Sequence, residues 1–221
     1  MIHYRCCKIE AMSRNAPNPD SDWRDGFLFV GNQIALDFIN TRPVQDGEAM
    51  ELLPEFHALL RWFRAAGVLT TREAADLWER WGGSDRARRT LEAVWALRET
   101  LRKEVLEWER GRAVHRSTVD ELNRLMAEHP MRTRLRAAGN AVSRELWFGA
   151  KQPEDLFAAI AHGAAMLFAE ADRERVRKCG QCVLHFLDTS KKGTRRWCSM
   201  QLCGNRLKVA AYAARRRDSA K

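Results

Sequence analysis

The chain reads as mainly α-helical: a helical N-terminal domain with a short β-hairpin, followed by a small treble-clef-like module of β-hairpin plus helix that carries four cysteines. Three observations predict this. Apolar residues recur at three- and four-residue spacing through most of residues 54–167, the period of a helix with one buried face. That period lapses only over 133–147, around Gly139-Asn140. Cys179, Cys182, Cys198 and Cys203 stand as C-x2-C, fifteen residues, C-x4-C, the spacing that returns two thiolate pairs to one tetrahedral zinc ion.

Residues 1–25 hold turn formers and polar groups without the apolar run of a secretory signal, which predicts a disordered tail, with Met12 as an alternative start to Met1. The helical domain spans 26–172. Gly26 to Thr41 starts extended, continues as an apolar stretch, and should break at Arg42-Pro43. After Pro54, the spacing of Phe56, Leu59, Leu60 and Phe63 predicts a helix that Gly67 closes. Thr70 with Glu73 forms a capping box for a helix presenting Leu77, Trp78 and Trp81.

Ser84 caps a long helix whose stripe runs through Leu91, Val94, Arg98, Leu101, Val105 and Trp108, with Arg98 its one charged interruption. Ser117 with Asp120 starts the next helix, which ends at Pro130. Gly139-Asn140 then joins two segments of a hairpin over 133–147, and Pro153 opens a last helix through Leu156, Ile160, Gly163 and Leu167. The cysteine module occupies 173–217 and a short tail 218–221. Within it VLHFLD is expected to pair with TRRWC across a TSKKG turn, and the alanine-rich segment after Cys203 is expected to be helical.

Composition narrows the function. With 45% hydrophobic and 30% charged residues and no stretch of about 18 apolar residues, a membrane span is not expected. Without an export signal the chain is expected in the cytoplasm, where thiols stay reduced, so metal explains the four spaced cysteines better than disulfides do. The net charge of +9 is concentrated at one end. Residues 173–221 hold 14 Lys and Arg against 3 acidic residues, whereas the remainder holds 24 against 26. A nearly neutral body with a basic end points to a polyanionic partner.

The candidate sites follow. Four thiolates close a zinc coordination sphere and leave no position for a hydrolytic water, so the ion is structural. About forty residues bury too little apolar surface to fold alone, and zinc supplies on the order of 10 kcal/mol in comparable peptides. His185 is either packed in its strand or a substitute ligand. Lys191, Lys192, Arg195 and Arg196 on the hairpin, and Arg206, Lys208, Arg215, Arg216 and Arg217 on or after the helix, are candidates for phosphate contact with DNA. The last three also sit where cations favour a helix C-terminus. Asn205 either reaches a base edge or caps the helix beside the zinc ligands, and Trp197 is expected to pack the module.

In the helical domain Asp37, Asn40, Thr41 and Arg98 place polar groups among apolar ones. They form either a pocket for an unknown small-molecule effector or a satisfied buried set, with Asp37 paired to Arg98. No Ser/His/Asp, Cys/His or glycine-rich phosphate motif is present, which argues against an enzyme and leaves an enzyme of the helical domain as the least favoured alternative.

Cys179 to Arg206 resembles the CGNR zinc finger, whose name-giving tetrad stands here as Cys203-Gly204-Asn205-Arg206. Asp188-Thr189-Ser190, the run Arg195 to Met200, and Lys208 accompany it. Upstream, LDFINTRP (36–43), Glu51-Leu52-Leu53 and LLRWFRAAGVL (59–69) are similar to the ABATE domain that precedes this finger in bacterial proteins described as candidate stress-induced transcription regulators. The resemblance covers about residues 27–217. His185 departs from an aliphatic position and Lys191-Lys192 from an Arg-Asn turn. It implies zinc binding and DNA binding, and a zinc module that binds RNA or protein is the alternative.

Overall fold

The structure, a computed structural model, describes residues 22–45 and 48–204. The expected tail over 1–25 lies outside these residues up to 21, as does the expected helix beyond Gly204. Strands β1 (Trp23–Arg24) and β2 (Phe27–Leu28) pair antiparallel around Asp25 and Gly26, whose φ angles of 50° and 81° suit a two-residue turn. Segment 29–33 leads into α1 (Ile34–Ile39), a six-residue helix with five buried residues. The Gln33 side chain caps α1 by accepting from Ala35 N at 2.6 Å and Leu36 N at 3.2 Å, while its amide donates to the Gly163 carbonyl.

Strands β3 (Val44–Gln45) and β4 (Glu48–Ala49) form a second small pair. Three helices follow: α2 (Phe56–Ala65), α3 (Thr71–Trp81) and α4 (Asp85–Glu109). Both predicted caps are present. Glu73 N donates to Thr70 Oγ1 at 3.2 Å and Thr70 N to Glu73 Oε2 at 2.8 Å, and Ala87 N donates to Ser84 Oγ at 3.1 Å.

Helix α5 (Arg116–Glu128) departs from the expected start at Ser117. Its N-cap is His115, whose side chain makes no cap hydrogen bond, and Glu104 of α4 ties this end of the helix down from outside. Glu104 accepts His115 N at 3.1 Å and Thr118 Oγ1 at 3.0 Å, and its other contact is His115 Nδ1 at 2.8 Å. A carboxylate there also meets the positive end of the helix dipole.

The hairpin predicted over 133–147 is present as β5 (Arg132–Ala138) and β6 (Ala141–Trp147), in unbroken register around Gly139 at φ 59°. A 3-10 turn (Pro153–Leu156) then runs into α6 (Phe157–Glu170). Leu36, Phe38, Leu59, Trp62, Phe63, Leu101 and Ile160, at 0–2% exposure, knit α1, α2, α4 and α6 into one core. Each such side chain contributes about 1.5–3 kcal/mol through burial. Gly163 lets α6 approach α1, since a Cβ there would lie 2.2 Å from Ile34 Cγ2. Among the described residues no helix is long and apolar enough to cross a membrane.

Beyond α6, β7 (Val176–Lys178) pairs antiparallel with β8 (His185–Leu187). This corrects the expected partnership of VLHFLD with TRRWC. The Cys179–Cys182 knuckle is itself the turn of the observed hairpin, with Cys179 N donating to Leu184 O at 2.8 Å, so β8 is already paired when the chain returns. The returning segment uses its backbone otherwise: Gly180 N donates to Arg196 O at 3.1 Å and Arg195 N to Asp188 Oδ2 at 2.7 Å.

Candidate metal centre

The knuckle after β7 places Cys179 and Cys182, and the return past Gly193 brings Cys198, followed by a π-type turn (Met200–Gly204) that carries Cys203. Cys203 N donates to Ser199 O at 3.1 Å and fixes that turn. The four ligand atoms lie within 4.8 Å of one another, with Cys182 Sγ to Cys198 Sγ at 3.7 Å and Cys198 Sγ to Cys203 Sγ at 3.6 Å. Four sulfurs around zinc, each about 2.3 Å from it, would stand about 3.8 Å apart at the edges of the tetrahedron. The cluster has the size of the group it would hold.

Its electrostatics point the same way. A hydrogen bond from the Cys198 thiol pulls the Cys182 thiol down to about 5, and that same bond, burial and neighbouring thiolates push Cys198 upward. Burial above all, and then neighbouring thiols, push Cys203 up to about 12. Four crowded thiols therefore cannot ionise together without a cation among them, and a divalent ion removes that obstacle. The sphere then consists of sulfur alone, which makes the ion structural. Zinc is the cofactor, one ion held by Cys179, Cys182, Cys198 and Cys203.

Around the cluster the backbone is tied down by side chains. Asp188 is fully buried and accepts Ser190 N at 2.9 Å and Arg195 N at 2.7 Å, bonds that hold its carboxyl below the usual range against the cost of burial. Arg175 donates to Asp188 O at 3.1 Å and Ser190 O at 2.8 Å, and its guanidinium passes 3.4 Å from where a Gly193 Cβ would stand. Gly193, at φ 61°, leaves that space open.

The expected phosphate contacts divide. Lys191, Lys192 and Arg196 are exposed on the turn and the returning segment. Arg195 is turned inward: it lies over the Phe186 ring at 4.8 Å, and donates to Trp197 O at 2.8 Å and to the Cys198 carbonyl. Its position is that of a strut for the knuckle. Trp197 packs the module as expected. Asn205, Arg206, Lys208, Arg215, Arg216 and Arg217 lie outside the described residues.

His185 stands apart from the four sulfurs, on β8 where the finger meets the helical domain. The ring is 1% exposed, with neither nitrogen hydrogen-bonded and Glu109 Oε2 3.8 Å from Nε2. Burial, then the charges of Arg102 and Lys178, lower it to about 4, so it is neutral at physiological pH.

The polar residues of α1 turn out to build the seam. Asn40 forms a two-way pair with the His185 peptide: its Nδ2 donates to His185 O at 2.8 Å and its Oδ1 accepts from His185 N at 2.9 Å. One step along, Leu187 N donates to Gly31 O at 2.8 Å and Asn32 Nδ2 to Leu187 O at 2.9 Å. Lys178 N donates to Glu109 Oε1 at 2.8 Å from the other side. Leu28 and Val30 enter the finger's own apolar cluster beside Phe186 and Leu184. Sequence reasoning singled out Asn40 and His185 but not their pairing, and it missed Gly31, Asn32 and Glu109, because the partners lie 69 to 155 positions apart.

Asp37 and Arg98 do not pair with each other, which corrects that expectation. Asp37 turns back to accept Gly31 N at 2.7 Å, and burial raises its carboxyl to about 7. Arg98, 1% exposed, donates to Thr41 Oγ1 at 3.0 Å and to both Glu51 oxygens, at 2.7 Å for Oε1. Glu51 follows the loop after α1 and so reaches α4, whereas Asp37 faces the segment before its own helix. The four residues named for a pocket are thus placed in two structural sets, one at the start and end of α1 and one between that loop and α4.

No curated protein matches the chain. Family models match along most of it. Residues 175–216 match the CGNR zinc finger, which spans the four-sulfur cluster, and residues 32–171 match the ABATE model, described as "Putative stress-induced transcription regulator". With the larger match covering well over half the residues and the thiol geometry in agreement with the smaller, the chain belongs to the ABATE family and carries a CGNR zinc finger behind its helical domain.

Proposed function

We propose that this protein is a DNA-binding transcription regulator whose zinc-clamped finger meets the phosphate backbone of a duplex. The observation that carries this reading is the cluster of four sulfurs within 4.8 Å at the root of a segment that exposes Lys191, Lys192 and Arg196. A finger held by metal presents those cations on a rigid turn, and fixed cations release counterions from DNA without first being ordered. The excess of basic residues over 173–221 supports the same partner. The family description supports a regulatory role.

The helical domain serves as the platform that sets the finger's orientation. Asn40, Gly31 and Glu109 hold β7 and β8 by their backbones, so a ligand or partner acting on α1 or α4 would reach the finger through those bonds. The test uses the zinc-loaded full chain and a mixed-sequence DNA duplex, titrated at several salt concentrations. Binding that weakens steeply with salt, and is lost on Cys198→Ser together with the zinc, is the expected result. Preference for single-stranded or structured RNA over the duplex, or no binding at moderate salt, would replace this reading with the RNA- or protein-binding one.

A further inference from the structure

No residue of the β5–β6 ribbon enters the core cluster of the helical domain. Its strands pair from Arg132↔Trp147 to Ala138↔Ala141, and β5 is exposed at every residue whose burial is described. An isolated two-stranded ribbon is marginal in water, so what its surface carries needs a reason beyond folding.

Strand alternation puts Arg132, Arg134 and Arg136 on one face, opposite Trp147, Glu145 and Ser143 of β6. Arg132 and Arg134 lie over the Trp147 ring at 5.7 and 5.4 Å. Arg134 and Arg136 share a single carboxylate, Glu145, at 2.9 and 3.3 Å, with 46% and 64% of their side chains still exposed. One acid against three guanidinium groups leaves this face cationic. Surface ion pairs give about 0–1 kcal/mol each, and neighbouring like charges oppose each other, so stability alone does not account for the third arginine. Contact with the Trp147 ring restrains two of the groups, which lowers the entropic cost of bringing a guanidinium fork to a phosphate.

We infer that this ribbon is a second contact for duplex DNA, with Arg132, Arg134 and Arg136 against phosphates at the major groove, whose width admits a two-stranded ribbon. The inference rests on the DNA-binding reading above. The ribbon and the finger are rooted at opposite ends of α4. Near its start, Trp81 Nε1 donates to Lys151 O at 2.9 Å and Arg86 binds Glu154 at 2.8 Å, just past the ribbon, whereas Glu109 at its end holds β7. A helix of 25 residues is about 38 Å long, close to one turn of duplex at about 34–36 Å. Two cationic elements so spaced suit neighbouring segments of one duplex.

The opposite face carries Leu135 and Val142, 74% and 68% exposed, which makes a second copy of the chain the competing occupant of the ribbon. The experiment compares the zinc-loaded wild type, the triple variant Arg132→Ala/Arg134→Ala/Arg136→Ala, and Arg136→Ala alone, which leaves the Trp147 stack intact. Affinity for a mixed-sequence duplex is measured by anisotropy across a salt series, with sedimentation for association state and circular dichroism for folding. The triple variant is expected to bind at least about tenfold more weakly at moderate salt, with a log–log salt slope shallower by about two to three, and Arg136→Ala to lose about one in slope. Wild-type slope and affinity in both variants, with Cys198→Ser still abolishing binding, would overturn the ribbon contact and leave the finger reading standing. A loss confined to the ribbon variants would do the reverse, and absence of duplex binding by the wild type would end both. A weaker affinity that tracks a change from dimer to monomer, with the salt slope unchanged, would assign the ribbon to self-association and overturn the inference.

Discussion

Asn40 carries two buried hydrogen bonds to one peptide, and Asp37 sits three residues earlier as a buried carboxyl, so single substitutions in α1 read out the seam. Truncating Asn40→Ala leaves the His185 N–H and C=O buried without partners. The expected cost is about 2–4 kcal/mol in urea unfolding, with zinc content retained. Asp37 predicts a pH effect of definite sign. Its folded value of about 7 lies above the ordinary 3.8, so the folded state holds this proton more tightly; the stability it contributes is complete below pH 4 and is lost as pH rises through 7. Against Asp37→Asn, which does not titrate, the wild type should lose on the order of 2–4 kcal/mol between pH 4 and pH 8 in paired unfolding curves. Residues differed in how well the sequence announced them. The four cysteines were legible because their spacing is itself the ligand geometry. Arg98 was visible as a charge in an apolar stripe, but its partner Glu51 was not, since both Asp37 and Glu51 precede it at similar separations and only the path of the loop after α1 decides which one faces α4.

Helices whose start signals are local were legible to the residue. Thr70 with Glu73 and Ser84 both cap as their neighbours require, since the bonds span three positions. Helix α5 shows the limit, because its start is tied down by Glu104 on another helix, through the His115 N–H and the Thr118 hydroxyl, and no local pattern encodes that. Replacing Glu104 with Ala should cost about 1–2 kcal/mol and raise amide exchange in the first turn of α5, whereas Ser117→Ala, one residue inside the helix, should change either by less than about 0.5 kcal/mol. The same limit explains the finger's strands. VLHFLD has two candidates for pairing at similar distance, and the turn at Cys179–Cys182 that selects Val176–Lys178 carries no local turn signal that ranks it above TSKKG. The β5–β6 ribbon, by contrast, was readable because its turn and both strands are contiguous.

At the scale of the whole molecule the metal's influence should extend past the finger. Leu28 and Val30 belong to the finger's apolar cluster, and Gly31, Asn32 and Asn40 are bonded to β8, so the stretch from Asp22 to Asn40 is held from both sides. Ser199 adds a hydrogen bond to Asp22. Removing zinc with a chelator should therefore raise hydrogen exchange over 22–40 as well as over 176–203, while α3 and α5 keep their protection. Exchange confined to the cysteine segment would show the two parts to be independent.

The shared cluster around Leu28, Val30 and Phe186 also bears on how such proteins can be cut and recombined. A boundary drawn at residue 173, where charge and family matches both change, severs the tip from the two side chains that complete its interior and leaves the paired edge of β8 bare. Either piece expressed alone would display sticky surface in place of a packed joint. A graft of this tip onto a foreign body would have to bring the Asp22–Asn40 ribbon and helix with it to keep the joint closed.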